Sequence, residues 1–424
     1  MGPINSLPSR IVGLLDIGTS KVVCLIVALE PRGPAILAGM DTPFRVLGIG
    51  HQRSRGLKAG VITDLDEAEV AVRAAVDQAE HMSGVRLDEV YVSIACGRLK
   101  SEVFAANADV ASGVVGEGDI ARVLDGGRAY AEREGRLRGH RTGVGLGLEG
   151  APGGAAPRGL AARRITADLH AVTADDAPVR NVMLLVERCY LGVAGLIATP
   201  HASALAASSV EERRLGVTVI DIGGGVTTIA LFADNRFIHA EAIPVGGGHM
   251  TFDIARGLQT PLADAERIKA LYGSLVLAPS DLHEGFSYPM AGDADGIEGQ
   301  ATRAVLAEIL RPRISSLLGL VQERLHRSGM EPYVGDRVVL TGGSSQLVGI
   351  GEHVANVLGR RVRVSGPDAA SGVPGGLVNP SFATVVGMVA AAAGEGLVAA
   401  DPSRSMAAQG YIGRVGQWLK QGLQ

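Results

Sequence analysis

Two stretches of this chain share one plan, and that constrains its fold more than anything else in it. In the first, Ile11 to Glu30 (IVGLLDIGTSKVVCLIVALE), an apolar run ends in Asp16-Ile17-Gly18, a polar turn follows, and a second apolar run leaves it. In the second, Val217 to Asn235 (VTVIDIGGGVTTIALFADN), a similar run ends in Asp221-Ile222-Gly223, three glycines turn the chain, and Val226 to Phe232 continue. Short apolar, β-branched runs broken by a glycine turn predict strand, turn, strand. Glycine has no Cβ, so the backbone N–H groups of Gly223, Gly224 and Gly225 can close around an anion. An aspartate ending a buried strand is costly to desolvate unless a cation or donors face it. Either stretch alone is equally a plain tight hairpin. Together they predict two similar halves whose turns face a shared cleft. In the first copy Thr19, Ser20 and Lys21 offer two hydroxyls and an ammonium, although Lys21 also reads as a solvent-exposed turn lysine.

A chain of 424 residues has room for about two to four domains with ample core. A net charge of −4 gives no basis for nucleic-acid binding. Cys24, Cys96 and Cys189 lie in apolar runs without zinc or CxxC spacing, which predicts buried, reduced thiols. The opening MGPINSLPSR lacks the basic and apolar regions of a signal peptide. No apolar run reaches the roughly 18–20 residues of a membrane span.

Between the two hairpins, Phe44 to Gly50 and Glu89 to Cys96 read as strands. Asp64 to Met82 reads as a core-facing helix with Thr63 as N-cap. Glu117 to Glu134 reads as a helix, and Gly135 to Arg158, without hydrophobic period, as a mobile loop. Ile165 to Val172 is an alternating strand, Val179 to Leu191 a helix and Val193 to Ala198 a strand. Thr199 to Ala207 (TPHASALAA) links the halves and looks helical from Leu205 onward. After the second hairpin, Phe237 to Val245 runs into Gly246-Gly247-Gly248 and a helix. Three glycines at a helix start offer a second anion site, or a simple strand-to-helix turn. Thr260-Pro261 caps a helix carrying Glu266 and Lys269, which share a face and by themselves read as a surface ion pair. Ala301 to His326 is a long helix that Pro312 should kink. Arg337 to Leu358 is strand, Gly342-Gly343-Ser344 turn, helix, a turn able to pass flat beneath a nucleotide base. Arg361 to Val364 is a short strand, and Asn379 to Ala393 a close-packing helix of small residues.

Two Asp-Ile-Gly hairpins, a linking Ala-Ser-Ala-Leu-Ala helix and a strand–Thr-Gly-Gly–helix unit, in this order, resemble the nucleotide cleft of the actin, Hsp70 and sugar-kinase superfamily. More narrowly, SRGLKAGVITDL (Ser54 to Leu65), DQAEHM, VYVSIACG, VERCYLGV, DIGGGVTTIALF, DAERIK and VVLTGGSSQLVGI resemble the FtsA family of bacterial division proteins, from about residue 11 to 394 and again at the end of the chain. The resemblance implies an α/β fold, actin-like (ribonuclease H-like) and duplicated, with two halves around a nucleotide cleft and an inserted 1C (SHS2-like) subdomain in place of 1B. It divides the chain into 1A (1–86, 173–205 and the return helix 379–394), 1C (87–172), 2A (206–247 and 325–378) and 2B (248–324). A flexible linker (395–409) and an amphipathic helix (410–424) follow. Where the family's 1C carries a well-patterned β segment, this chain has the glycine- and arginine-rich Gly135 to Arg158.

The same resemblance implies ATP and Mg²⁺ as cofactors. Gly18, Thr19, Ser20 and Lys21 would form the first phosphate loop and Gly223, Gly224, Gly225 and Thr227 the second, with Gly246, Gly247 and Gly248 bordering the phosphates. Asp16 and Asp221 would face Mg²⁺ through its waters, because magnesium dehydrates reluctantly. Glu266 and Lys269 would contact ribose and base, and Gly342, Gly343 and Ser344 would line the adenine side. TPHASALAA holds no glutamate or glutamine to orient a water, only His201 and Ser203, so slow or conditional hydrolysis is expected. The implied protein polymerises on the inner face of the cytoplasmic membrane, anchors FtsZ filaments there and recruits later division proteins through 1C. The C-terminal tail of FtsZ would dock on 2B, where Arg303 and Arg311 are candidate contacts for an acidic peptide.

The closing GYIGRVGQWLKQGLQ supports the membrane part of this picture. At about 100° per residue, Tyr411, Ile412, Val415, Trp418, Leu419 and Leu423 share one face. Arg414 and Lys420 flank it, and Gln417, Gln421 and Gln424 lie opposite. An apolar face, the only tryptophan of the chain and adjacent cations suit an interfacial helix on an anionic membrane. A helix docked on the protein's own core would show the same stripe. The competing reading is a metabolic small-molecule kinase of the same superfamily. It would need a carboxylate base beside the first phosphate loop, and no persuasive candidate is present.

Overall fold

The computed structural model describes residues 10–30, 43–96, 98–130, 136–148, 158–292, 298–368, 372–393 and 398–399. The amphipathic helix expected over 410–424 lies outside the described residues, as does all of the linker except Val398 and Ala399.

The first hairpin forms as expected from β1 (Arg10–Ile17) and β2 (Lys21–Leu29), which pair antiparallel with Ile17 opposite Val22. Strand β3 (Phe44–Arg53) adds to β2. A short hairpin, β4 (Leu57–Lys58) and β5 (Val61–Ile62), leads to α1 (Leu65–Ser83). Asp64 rather than Thr63 caps α1. Its carboxylate accepts from the N–H groups of Asp66 and Glu67, both at 3.0 Å, while the Thr63 hydroxyl donates to the Gly56 carbonyl. A carboxylate at this place satisfies the first N–H groups and also meets the positive end of the helix.

Strand β6 (Glu89–Ile94) is followed by β7 (Lys100–Asp109), α2 (Glu117–Tyr130), β8 (Arg136–Leu148) and β9 (Arg164–Asp175). The last three strands form a separate sheet in the order β7-β9-β8. Two expectations change here. Gly135 to Arg158, read as a loop, contains β8, which pairs antiparallel along β9 with two register shifts. Ladder hydrogen bonds come from the backbone, so a strand need not show an apolar period once a partner presents its edge. The second change is a boundary. Strand β6 pairs in parallel with β1 and so belongs to the main sheet, and the small sheet runs from Lys100 to Asp175 instead of 87–172.

Helix α3 (Asp176–Arg188) and β10 (Gly192–Ala198) complete the first half. The link α4 (Thr199–Ala207) is helical throughout and not only from Leu205, with Pro200 in the first turn where a missing N–H is no loss. Then come α5 (Val210–Leu215), β11 (Val217–Ile222), β12 (Thr227–Ala233), β13 (Arg236–Ile243), α6 (Gly247–Leu258) and α7 (Leu262–Tyr272). They are followed by β14 (Gly285–Pro289), β15 (Glu298–Thr302) and α8 (Arg303–Ser328), which continues through Pro312. The chain closes with β16 (Arg337–Thr341), α9 (Ile350–Leu358), β17 (Arg361–Val364), α10 (Ala383–Ala393) and β18 (Val398–Ala399). Among the described residues no helix is long and apolar enough to cross a membrane.

The duplication is visible in the sheets. One runs β18-β10-β6-β1-β2-β3 and the other β13-β12-β11-β16-β17. In each, the hairpin (β1-β2 or β11-β12) has a third antiparallel strand on one side (β3 or β13) and a parallel strand on the other (β6 or β16). Two helices join the halves, α4 outward and α10 on the return. They cross so closely that a Cβ on Gly387 would lie 1.7 Å from the Ala202 carbonyl oxygen. Cys24 and Cys96 are buried and Cys189 half-buried, and burial pushes their thiols up to about 12, 11 and 11.

Candidate functional site

The turns of the two hairpins meet across the halves. A Cβ on Gly225 would lie 2.4 Å from Thr19 Oγ1, and one on Gly224 would lie 2.9 Å from Ser20 Cβ. The turns approach this closely only because the second has no side chains. Around them opens a cleft of about 820 Å³. Every residue proposed above for nucleotide or metal lines it except Thr227 and Gly246.

Those two exceptions have physical causes. Thr227 is fully buried and donates its hydroxyl to the Val245 carbonyl at 2.8 Å. Successive strand residues point to opposite faces, so the cleft is faced by Thr228, which sits opposite Asp221 in the ladder. Among the described residues the buried Thr228 Oγ1 has no hydrogen-bond partner. Gly246 packs beneath the second turn, where a Cβ would be 2.5 Å from the Gly223 carbonyl oxygen. The reading of Gly246 to Gly248 as a second anion site is also corrected. The N–H of Gly247 donates to Gly223 O at 2.9 Å and that of Gly248 to Gly224 O at 2.6 Å. The first N–H groups of a helix need acceptors, and here the carbonyls of the glycine turn supply them.

Asp16 is half-buried and Asp221 buried. Asp16 Oδ1 accepts from Ser93 Oγ at 2.6 Å, and Asp221 Oδ2 from Thr384 Oγ1 at 3.3 Å. Desolvation raises the Asp16 carboxyl against the pull of Ser93 and Lys21. Burial, and then the charge of Asp16, push Asp221 up to about 6, with hydrogen bonds from Ser203 and Thr384 opposing. Lys21 is not a solvent-exposed turn lysine. Its ammonium donates to Ser381 Oγ at 2.7 Å and lies 3.7 Å from the centroid of the Phe382 ring. Burial lowers it to about 8, against the attraction of the two aspartates. Two desolvated carboxylates, the charge of Asp16 adding to the burial of Asp221, beside an unpartnered hydroxyl, form a donor set that suits a hydrated hard cation.

On the facing wall Lys269 Nζ donates to Glu266 Oε2 at 2.7 Å, Thr251 Oγ1 at 2.7 Å and the Gly247 carbonyl at 3.0 Å. The Lys269 side chain is 14% exposed and that of Glu266 56%, so the ammonium turns inward while its carboxylate partner stays at the surface. Gly342 has φ of +86° and a Cβ there would lie 2.2 Å from Asp221 Oδ1, so backbone conformation and space both require glycine. Ser344 stands over Gly247, where a Cβ would lie 2.2 Å from its hydroxyl.

Sequence reasoning missed Ser93, Thr228, Thr251, Ser381 and Thr384. A polar residue inside an apolar run, as at Ser93 in VYVSIACG, was the one available signal. The remaining candidates lie elsewhere. His201 is buried against Phe232 and Phe237, with ring centroids 6.1 and 4.8 Å away, and does not line the cleft. Arg311 donates to the Leu275 carbonyl at 2.8 Å, and Arg303 lies 3.7 Å from Asp281.

Two halves of like topology, joined by crossing helices around a glycine-walled cleft, define an actin-like protein. Solved structures carry the same fold. That of the PilM-PilN type IV pilus biogenesis complex matches with a TM-score of 0.62 at 16% identity over 91% of this chain and 99% of the other. MreB5 of Spiroplasma citri matches with a TM-score of 0.52 at 13% identity over 90% and 95%. The family model described as cell division protein FtsA matches residues 218–387. Cell division protein FtsA of Agrobacterium fabrum is 41% identical over 430 residues, 99% of this chain and 96% of that protein. Its counterpart in Pseudomonas aeruginosa is 34% identical over 379 residues, 89% and 88%. The chain belongs to the FtsA family of cell division proteins.

Proposed function

We propose that this FtsA-family protein binds ATP and Mg²⁺ in the cleft and works in division as a membrane-held, polymerising actin-like protein. The observation that carries the reading is the pair of touching turns with a buried or half-buried aspartate behind each. MreB5 of Spiroplasma citri, of the same fold, has been solved bound to ADP and to AMPPNP. Gly18 to Lys21 and Gly223 to Gly225 meet the phosphates, and Thr228 rather than Thr227 stands beside them. Gly246 to Gly248 border them by close packing and not as N–H donors. Asp16 and Asp221 would hold Mg²⁺, which would supply neutralisation of the phosphate charge. Glu266 and Lys269 take the ribose side, and Gly342, Gly343 and Ser344 pass beneath the base. Ser203 is occupied by Asp221 and His201 by the phenylalanine rings, which supports slow hydrolysis. Nucleotide then acts mainly on the angle between the halves and on polymerisation.

Titration with a fluorescent ATP analogue tests the cleft. Gly225→Val drives a side chain into Thr19, and we expect at least about a hundredfold weaker binding, the scale of a few lost phosphate contacts, with circular dichroism unchanged. Binding within a few-fold of the unaltered protein would overturn the site.

The remainder of the proposal follows family membership and the closing residues. The protein lies on the inner face of the cytoplasmic membrane at the division site, peripherally, through Ile412, Arg414, Val415, Trp418, Leu419, Lys420 and Leu423. It holds the FtsZ C-terminal tail on residues 248–324 and later division proteins through the small sheet. One such helix binds weakly, and a filament presenting many gains by avidity. Trp418→Glu is expected to abolish co-sedimentation with anionic liposomes while ATP binding persists. Unchanged sedimentation would refute the anchor.

A further inference from the structure

The segment 379–384 brings the chain out of the second half into α10, and it touches both walls of the cleft. Toward the first half, Ser381 Oγ accepts from the Lys21 ammonium at 2.7 Å and the Phe382 ring lies against the same ammonium at 3.7 Å. Toward the second half, Thr384 Oγ1 donates to Asp221 Oδ2 at 3.3 Å, and the Pro380 carbonyl accepts from the Gly342 N–H at 3.2 Å. A phosphate loop lysine is therefore held by a serine and an aromatic face that belong to the return connection between the halves. A hydroxyl is a neutral acceptor, and a phosphate oxygen is a charged and stronger one.

We propose that Lys21 is a transfer contact. Ser381 and Phe382 hold it while no phosphate is present. A bound phosphate takes it from them, and the start of α10 is released. This rests on the ATP reading of the cleft. The release has a mechanical route, because α10 crosses α4 backbone to backbone at Gly387 and Ala202, and these two helices connect the halves. Ser381 is in this scheme a positioning residue that competes with the nucleotide for Lys21. An apparent affinity is reduced by the fraction of protein whose binding groups are engaged elsewhere. Removing the competitor should therefore tighten binding.

The test uses the full chain, ATP with Mg²⁺, and two readouts, equilibrium binding and amide hydrogen exchange. Ser381→Ala is expected to bind ATP about fivefold more tightly, the scale of one modest hydrogen bond. Ser381→Thr, which keeps the hydroxyl, should restore the original affinity. In a Lys21→Met background Ser381→Ala should change nothing. In the unaltered protein, ATP should raise exchange in 379–384, and Ser381→Ala should show that raised exchange already without nucleotide. Unchanged affinity in Ser381→Ala, or exchange in 379–384 that ATP does not raise, overturns the transfer while leaving ATP binding intact. No ATP binding by the unaltered protein overturns the cleft reading and the transfer together.

Discussion

Asp221→Asn is expected to make the nucleotide-free protein more stable at neutral pH while weakening Mg²⁺-dependent ATP binding by about 10–100-fold, the scale seen when a group supporting a metal is removed. The two effects share one cause. Burial and the neighbouring Asp16 raise the Asp221 carboxyl from 3.8 to about 6. The folded protein therefore takes up this proton more readily than the unfolded chain does. The stability it contributes is complete below about pH 4 and is lost as pH rises through about 6. A shift of this size corresponds to order 3 kcal/mol. Asparagine carries no charge to desolvate and can still accept from Thr384. Its advantage over aspartate should be near zero at about pH 4 and reach order 1–3 kcal/mol by about pH 7. Urea unfolding of both proteins across that range measures it. A difference that does not grow with pH would show that the carboxylate is not strained by its burial.

Gly387→Ala should destabilise the protein by about 1–3 kcal/mol, as overpacking does. Helix propensity alone predicts the opposite sign, a gain of roughly 0.8–1 kcal/mol for replacing an interior glycine by alanine. The added methyl would meet the Ala202 carbonyl oxygen at 1.7 Å, so α4 and α10 must separate or tilt. Gly319→Ala in α8 is the control. That position is exposed and a Cβ there meets nothing within 4 Å, so propensity should act alone and stabilise. Thermal or urea unfolding of the pair checks both signs. Two stabilised variants would mean that the helix crossing between the halves yields without strain.

Much of the site could be read before any coordinates. Asp16, Asp221, the two polar or glycine turns and Gly342 to Ser344 are local in sequence, each a short pattern whose geometry its own residues dictate, and all of them line one cleft. Lys269 and Glu266 were legible as neighbours on a helix, but the turn of the Lys269 ammonium inward onto Thr251 and the Gly247 carbonyl was not. Strand β8 was missed, since glycines and arginines interrupt it and only Val144, Leu146 and Leu148 alternate, so the backbone edge of β9 is what defines it. The choice between Thr227 and Thr228 depended on which strand face meets the cleft, a matter of one residue of register.

The division follows from the range of the forces involved. Turn conformation, strand length and helix periodicity come from neighbouring residues, and with them the repeated hairpin and its two similar halves were present in the chain itself, while the actin-like plan came from the resemblance of its motifs to a known family. Contacts between residues hundreds of positions apart belong to no local pattern. Lys21 on Ser381, Thr384 on Asp221 and Gly387 against Ala202 arise only when two sheets and two crossing helices have packed. Tertiary packing therefore decided which hydroxyls hold the aspartates, where the lysine rests and why the helix glycine must remain a glycine.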